Sequence, residues 1–228
     1  MAVRTVIFDW GGTLTPWHSV DHEALWREVC GRHYPQAEAA EVARAIHQAE
    51  LAVWQGIERS QQSATLAHVF ERARVSVPDA LLASYFEAWE PHTLTDPDAP
   101  ALLRELRRRG IRIGVLSNTL WPRAVHDRLF LRDQVLDLID GTVYSSELPW
   151  TKPHPEAFRA AMAAVGEDDP AACVFVGDRP FDDVHGAKSI GMRGVLIQGS
   201  AVPSFEAAVA PDAIITRLSE LLRYLDLW

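Results

Sequence analysis

Four short stretches of the chain have residue types and spacings that can do chemistry. The first is Asp9-Trp10-Gly11-Gly12-Thr13, where the apolar run Val6-Ile7-Phe8 ends in a carboxylate and then turns on glycine. A strand of that kind delivers Asp9 to the rim of a sheet, and ligands bind at that rim in open α/β sheets. The second is Ser117-Asn118, a hydroxyl and an amide after Val115-Leu116. The third is Lys152 in Thr151-Lys152-Pro153-His154-Pro155, and the fourth is Gly177-Asp178 with Asp182 and Asp183 close behind. Carboxylates gathered at neighbouring strand ends cannot share a small space unless cations neutralise them. A hard divalent ion with oxygen ligands, most simply Mg²⁺, answers that need. Lys152 adds a compact positive charge and Ser117 a hydroxyl. Cation, lysine, hydroxyl and glycine-rich backbone together make a phosphate site. Alone, each stretch is plainer: a turn aspartate, a strand-end turn, a solvated lysine. Their conjunction, each at or after a strand end, makes the case. Of the last two carboxylates, Asp183 has the spacing of the functional one, and Asp182 reads as a solvated neighbour or a helix cap.

The elements that must position these residues follow from periodicity. Short apolar runs without polar alternation lie at 3–8, 111–116, 174–176 and 195–197, with weaker ones at 141–144 and 213–215. Such runs suit a parallel sheet covered on both faces. Helical patterns at 101–109, 155–165 and 183–190 lie between them and end on Gly110, Gly166 and Gly191. The alternation predicts a doubly wound α/β domain. Residues 21–90 break the rhythm, with no strand-like run. Leu25, Trp26, Val29 and Cys30 share one helical face, and so do Val42, Ile46, Val53 and Trp54. Leu66, Val69 and Phe70 form a third face, and Leu81, Leu82, Tyr85, Phe86 and Trp89 a fourth. Four amphipathic helices are therefore expected as an insertion after the first strand. Turn-rich segments at 15–19 and 91–97 flank it and read as hinges. The expected division is a core of 1–18 and 92–228 with a helical cap of 19–91. Near the hinges, Trp17 and His18 are placed to line an entrance. His22 either faces substrate or serves as a surface or capping residue, and Trp10 packs beneath or beside the site.

Composition narrows the partners. The chain has 228 residues and a net charge of −9, which argues against nucleic acid or an anionic membrane. Cys30 and Cys173 are the only cysteines, both in apolar surroundings, and read as reduced thiols of a cytoplasmic protein. No secretory signal is visible at the start, and no apolar run approaches membrane-spanning length. Lys152 and Lys188 are the only lysines, so the expected cap contains none.

These stretches, in this order, resemble the signatures of the haloacid dehalogenase-like (HAD) hydrolases. Asp9 to Leu14 is similar to the first signature, Asp-x-Asp-Gly-Thr-Leu; Ser117, Lys152-Pro153 and Gly177-Asp178 are similar to the other three. The resemblance implies a Rossmann-like doubly wound parallel sheet core with an inserted four-helix cap domain. It implies Asp9 as nucleophile, Ser117 and Lys152 as phosphoryl-binding residues, and Asp9, Gly11 (through its carbonyl), Asp178 and Asp183 around Mg²⁺. Asn118, His22 and Trp17 are the expected substrate contacts, and the substrate a small phosphorylated metabolite.

One letter departs: the second aspartate of the first signature is Gly11. In the family that aspartate protonates the leaving alcohol and then activates water, help worth ~10²–10⁴-fold in rate. Three readings follow: a phosphatase with weakened acid–base catalysis, a metal-independent 2-haloacid dehalogenase, or a phosphometabolite-binding protein without turnover. The intact Gly177-Asp178 favours the first over the second. Phosphonoacetaldehyde hydrolases also lack the second aspartate but need a cap lysine, which this chain does not have.

Overall fold

The computed structural model describes residues 2–198 and 209–228. Its centre is a six-stranded sheet in the order β3-β2-β1-β4-β5-β6. The strands are β1 (Thr5–Phe8), β2 (Arg112–Ser117), β3 (Gly141–Tyr144), β4 (Cys173–Gly177), β5 (Arg193–Ile197) and β6 (Ala213–Ile215). Every neighbouring pair is parallel. All six expected strands form, including the two weaker ones, with ends shifted by a residue or two. Both faces are covered. Val6, Phe8, Val115, Val174 and Val176 pack on one side with Leu102, Leu103 and Leu106 of α5 (Ala99–Arg108). Ile7, Leu116 and Phe175 pack on the other with Phe158 and Met162 of α7 (Pro155–Ala164). This two-sided burial is why the strands lack polar alternation.

The strand order places the site. The chain builds outward from β1 through β2 to β3, then returns to β4 on the opposite side of β1. The reversal opens a crevice at the carboxyl ends of β1 and β4, the topological switch point of such sheets. Phe8 pairs with Val115 and with Val176, so Asp9, Ser117 and Asp178 emerge side by side at one edge.

Between β1 and α5 the chain forms α1 (His22–His33), α2 (Gln36–Ser60), α3 (Leu66–Ala73) and α4 (Asp79–Trp89). Asp21 caps α1, its Oδ1 accepting from the Ala24 amide at 2.9 Å. Trp26, Val29, Ile46, Val69, Leu81 and Tyr85 form their buried centre. That centre also takes in Leu120 and Trp121, which follow β2, and Val125 and Leu129 of α6 (Arg123–Arg132). The helical segment thus shares its core with the sheet domain. A second attachment lies at the α2–α3 loop. There the Thr151 amide donates to Gln61 O at 2.9 Å, Ser63 N to Pro149 O at 3.0 Å and Leu66 N to Leu120 O at 3.1 Å.

The helix expected at 183–190 takes a different form. Pro180–His185 is a π-helical turn, followed by a short α8 (Gly186–Ser189). In the wider turn the Val184 amide also donates to Arg179 O, at 3.3 Å, beside the Asp183 amide at 3.0 Å, while the Arg179 amide donates to Asp183 Oδ2 at 2.8 Å. Such turns recur where a helix must re-aim a functional side chain. Asp182 lies within this turn, and no helix is capped by its side chain. Among the described residues no helix is long and apolar enough to cross a membrane.

Ile7 is fully buried between the sheet and α7. Ile7→Ala should cost about 2–5 kcal/mol of unfolding free energy, the usual range for such truncations. Urea denaturation followed by circular dichroism checks it.

Candidate active site

Lys152 is the hub. Its side chain is buried, and Nζ lies 2.8 Å from Asp9 Oδ1 and 2.7 Å from Asp183 Oδ1. The ring of Phe175 lies beneath, 5.2 Å from Nζ to its centroid. Asn118 fixes the backbone at this point. Its Nδ2 donates to Lys152 O at 2.9 Å, and Lys152 N donates to its Oδ1 at 2.8 Å. The Lys152–Pro153 peptide is cis.

The carboxylates close round the lysine. Ligand atoms of Asp9, Asp178 and Asp183, all buried, lie within 4.8 Å of one another. Two glycines make the approach possible. A Cβ on Gly177 would run into the Asp183 carboxylate. Gly12 has φ +82°, and a Cβ there would collide with the Trp17 indole and Asp178 Oδ2. Trp17 Nε1 donates to Asp178 Oδ2 at 2.7 Å, and the Arg179 guanidinium sits over the indole at 5.6 Å.

One ammonium faces three carboxylates, and the protonation behaviour reflects it. Burial, together with the charges of Asp183 and Asp178, pushes Asp9 up to about 7 against the pull of Lys152. Asp178 is raised by burial and by Asp183, opposed by the Trp17 hydrogen bond. Burial works against the charge on Lys152, but Asp183 and Asp9 outweigh it and hold the ammonium. Asp182 is pushed up to about 6 by burial and then by Asp183. A buried cluster with excess negative charge and oxygen donors fits a hard divalent cation.

The structure therefore brings Asp9, Lys152, Asp178 and Asp183 together and sets Ser117 at the neighbouring strand end. Trp17 reaches the cluster through Asp178. Asn118 has both ends of its amide on the Lys152 backbone. His22 lies against other residues of the helical segment, with Nδ1 3.7 Å from Glu50 Oε2 and its ring on Trp89 at 5.1 Å. His18 meets His92 across the two linkers at 5.7 Å. Trp10 packs beside the site on Trp121 and His126. Three contacts escaped sequence reasoning: the Asn118 clamp, the Trp17 indole on Asp178, and buried Glu50 of α2. Only Glu50 left a signal, a carboxylate beside Ile46 and Val53 on an apolar helix face.

A parallel sheet with a carboxylate–lysine cluster at its switch point and a helical insertion after the first strand defines a class of α/β hydrolase. Residues 3–191 match the haloacid dehalogenase-like hydrolase family, and the chain belongs to it. A phosphatase of Mycobacterium tuberculosis (strain CDC 1551 / Oshkosh) is 35% identical over 131 residues, covering 57% of this chain and 55% of that protein. The chain spans about half the length of that relative and of the next two it matches. A phosphoglycolate phosphatase of Cereibacter sphaeroides is 29% identical over 195 residues, covering 84% and 83%. Among solved structures, a HAD phosphatase from Thermococcus onnurineus superposes with a TM-score of 0.70 at 23% identity, covering 98% of both chains.

The cluster predicts a linked metal and pH response. The folded-state carboxyl of Asp9 lies at about 7, above its ordinary 3.8. As pH rises between those values the unfolded chain loses this proton while the folded protein keeps it, so metal-free stability falls. A cation that neutralises the cluster offsets that loss. The difference in Tm between MgCl₂ and EDTA samples should therefore be larger at about pH 8 than at about pH 5. Asp178→Asn should shrink it at both. Differential scanning fluorimetry reads each.

Proposed function

We propose that the protein is a Mg²⁺-dependent phosphatase of small phosphorylated metabolites, working through an aspartyl-phosphate on Asp9. The observation that carries this reading is the buried group of Asp9, Asp178 and Asp183 around Lys152 at the switch point. Asp9, Asp178, Asp183 and the Gly11 carbonyl are the ligands for Mg²⁺. When bound, the ion supplies positive charge that offsets the carboxylates and the phosphoryl oxygens. Lys152 and the Ser117 hydroxyl hold the phosphoryl group, and Asn118 keeps Lys152 in place. Asp9 attacks phosphorus, the P–O bond to the leaving group breaks, and the alkoxide takes its proton from water. A second water then attacks the aspartyl-phosphate, giving phosphate and restoring the carboxylate. Residues 19–91 act as the cap that closes over this site and excludes polymers. The buried thiols of Cys30 and Cys173 accord with a cytoplasmic setting.

Gly11 decides the kinetics. Apart from its two chain neighbours, no described residue lies within 4 Å of where its Cβ would sit, so the family's acid–base side chain is missing while room for it remains. Without that acid, rate should depend steeply on the leaving group, with aryl and acyl phosphates turned over far faster than alkyl phosphates. Without that base, aspartyl-phosphate should accumulate, giving a burst of p-nitrophenol before a slower steady rate. Gly11→Asp should remove the burst and raise alkyl phosphate turnover by ~10²–10⁴-fold. Rapid-quench kinetics on both proteins tests this. Undiminished activity in EDTA with halide released from a 2-haloacid would replace this reading with dehalogenation. Phosphate binding without turnover of the aryl ester would replace it with a binding protein.

A further inference from the structure

A second polar site lies in the helical segment. A cavity of about 380 Å³ opens between the start of α1 and the middle of α2. Its walls include Asp21, His22, Glu23, His47, Glu50 and Trp54, with no lysine or arginine. Its size is that of a small-molecule pocket. Glu50 is the unusual member. It is only 5% exposed, yet the hydrogen bond it receives is from Trp26 Nε1 to Oε2, at 3.0 Å. His22 Nδ1 is 3.7 Å from the same oxygen, and among the described residues no hydrogen bond reaches Oε1. His47 Nδ1 is buried on the same wall without a hydrogen-bond partner. A carboxylate taken out of water costs several kcal/mol unless charges or donors compensate it. Here the compensation is half built, and the missing half faces a cavity.

Two stretches of chain lead from the cavity toward the carboxylate cluster. Val20 on its wall is three residues after Trp17, which touches Asp178, so no more than about 11 Å of chain separates them. From the other side, Glu50, Trp54 and Glu58 follow one another at i, i+4 and i+8 along α2. Gln61, at the end of the same helix, accepts the amide of Thr151, the neighbour of Lys152, at 2.9 Å. The wall thus runs from the cavity toward the carboxylate cluster.

We propose that this cavity receives the leaving group of the substrate and that this group carries a protonated amine: the substrates are amino-alcohol phosphates. The inference rests on the phosphatase reading above. Glu50 Oε1 accepts the ammonium N–H and the Trp54 face lies against the cation, a pairing of carboxylate and aromatic ring that suits ammonium groups. Asp21 and Glu23 add to the negative field and repel carboxylate-bearing leaving groups. The amine also draws electron density from the departing alkoxide, which partly offsets the acid lost at Gly11.

The test is kcat/KM on phosphate esters that differ only at the far end: 2-aminoethyl phosphate, 2-hydroxyethyl phosphate and phosphoglycolate, and the matching four-carbon set. The order should be amine, then hydroxyl, then carboxylate, with about tenfold or more between first and last at one chain length or the other. Glu50→Gln keeps an acceptor for Trp26 and should lower the amine-to-hydroxyl ratio by about tenfold to a hundredfold. Trp54→Leu, which spares the carboxylate, should lower the same ratio and serves if Glu50→Gln does not fold. Hydrolysis of p-nitrophenyl phosphate by the unaltered protein separates the two readings. If that ester is cleaved but the amine esters hold no advantage at either length, the leaving-group site is refuted and the phosphatase stands. If no ester is cleaved, the phosphatase reading falls. Calorimetric titration of the same esters in MgCl₂ then decides, with equal affinities overturning the amine site and tighter amine binding upholding it.

Discussion

The Lys152 ammonium between Asp9 and Asp183 is the contact on which the rest of the site depends. Three buried carboxylates within 4.8 Å of one another repel strongly in a poorly screened interior. One buried cation relieves part of that repulsion and sets the geometry of what remains. Much of the local structure serves to hold it there. Asn118 ties down the Lys152 backbone at both its N–H and its C=O. The π-helical turn swings Asp183 back so that one oxygen meets the Arg179 amide and the other meets Lys152. Gly177 leaves room for that carboxylate to lie against β4. The residual negative charge is the property a divalent cation uses.

The helical segment is joined to the sheet domain more widely than two hinges suggest. Its core is completed by Leu120, Trp121, Val125 and Leu129, which belong to the stretch after β2. Trp121 also touches Trp10, the neighbour of Asp9, so an aromatic wall runs from beside Asp9 into the helical segment. The α2–α3 loop pairs with the backbone next to Lys152. Movement of this segment has to break those backbone bonds and expose part of a shared core, so its position and the order of Lys152 are coupled.

Gly11 and Trp17 show how one short loop sets the chemistry. Gly11 removes a side chain and leaves open space. Trp17, six residues on, fills the space beside Asp178 and Gly12 and donates its indole N–H to the carboxylate. The loop thus carries no side chain at one position and at another sets a hydrogen-bond donor on a carboxylate of the cluster. Such outer contacts orient ligand carboxylates and tune their basicity.

Sequence alone determined the sheet, the position of the helical insertion and which charged residues stand at the strand ends. Each is written in local pattern: apolar runs of strand length, apolar residues at helical spacing, and Asp9, Lys152 and Asp178 beside the glycines and prolines that strand-end turns require. Only the tertiary structure decided which side chains pair. Asn118 reads as a substrate contact in sequence because nothing local reveals that the Lys152 backbone, 34 residues away, takes both ends of its amide. His22 reads as either a substrate contact or a surface or capping residue, and the packing of α1 on α2 sets it beside Glu50. Trp17 and Asp178 are separated by 161 residues and meet only because β1 and β4 are neighbours in the sheet. Periodicity reports the face a residue lies on. Partners across the fold depend on strand order and on how two layers settle against each other, and those are properties of the whole chain.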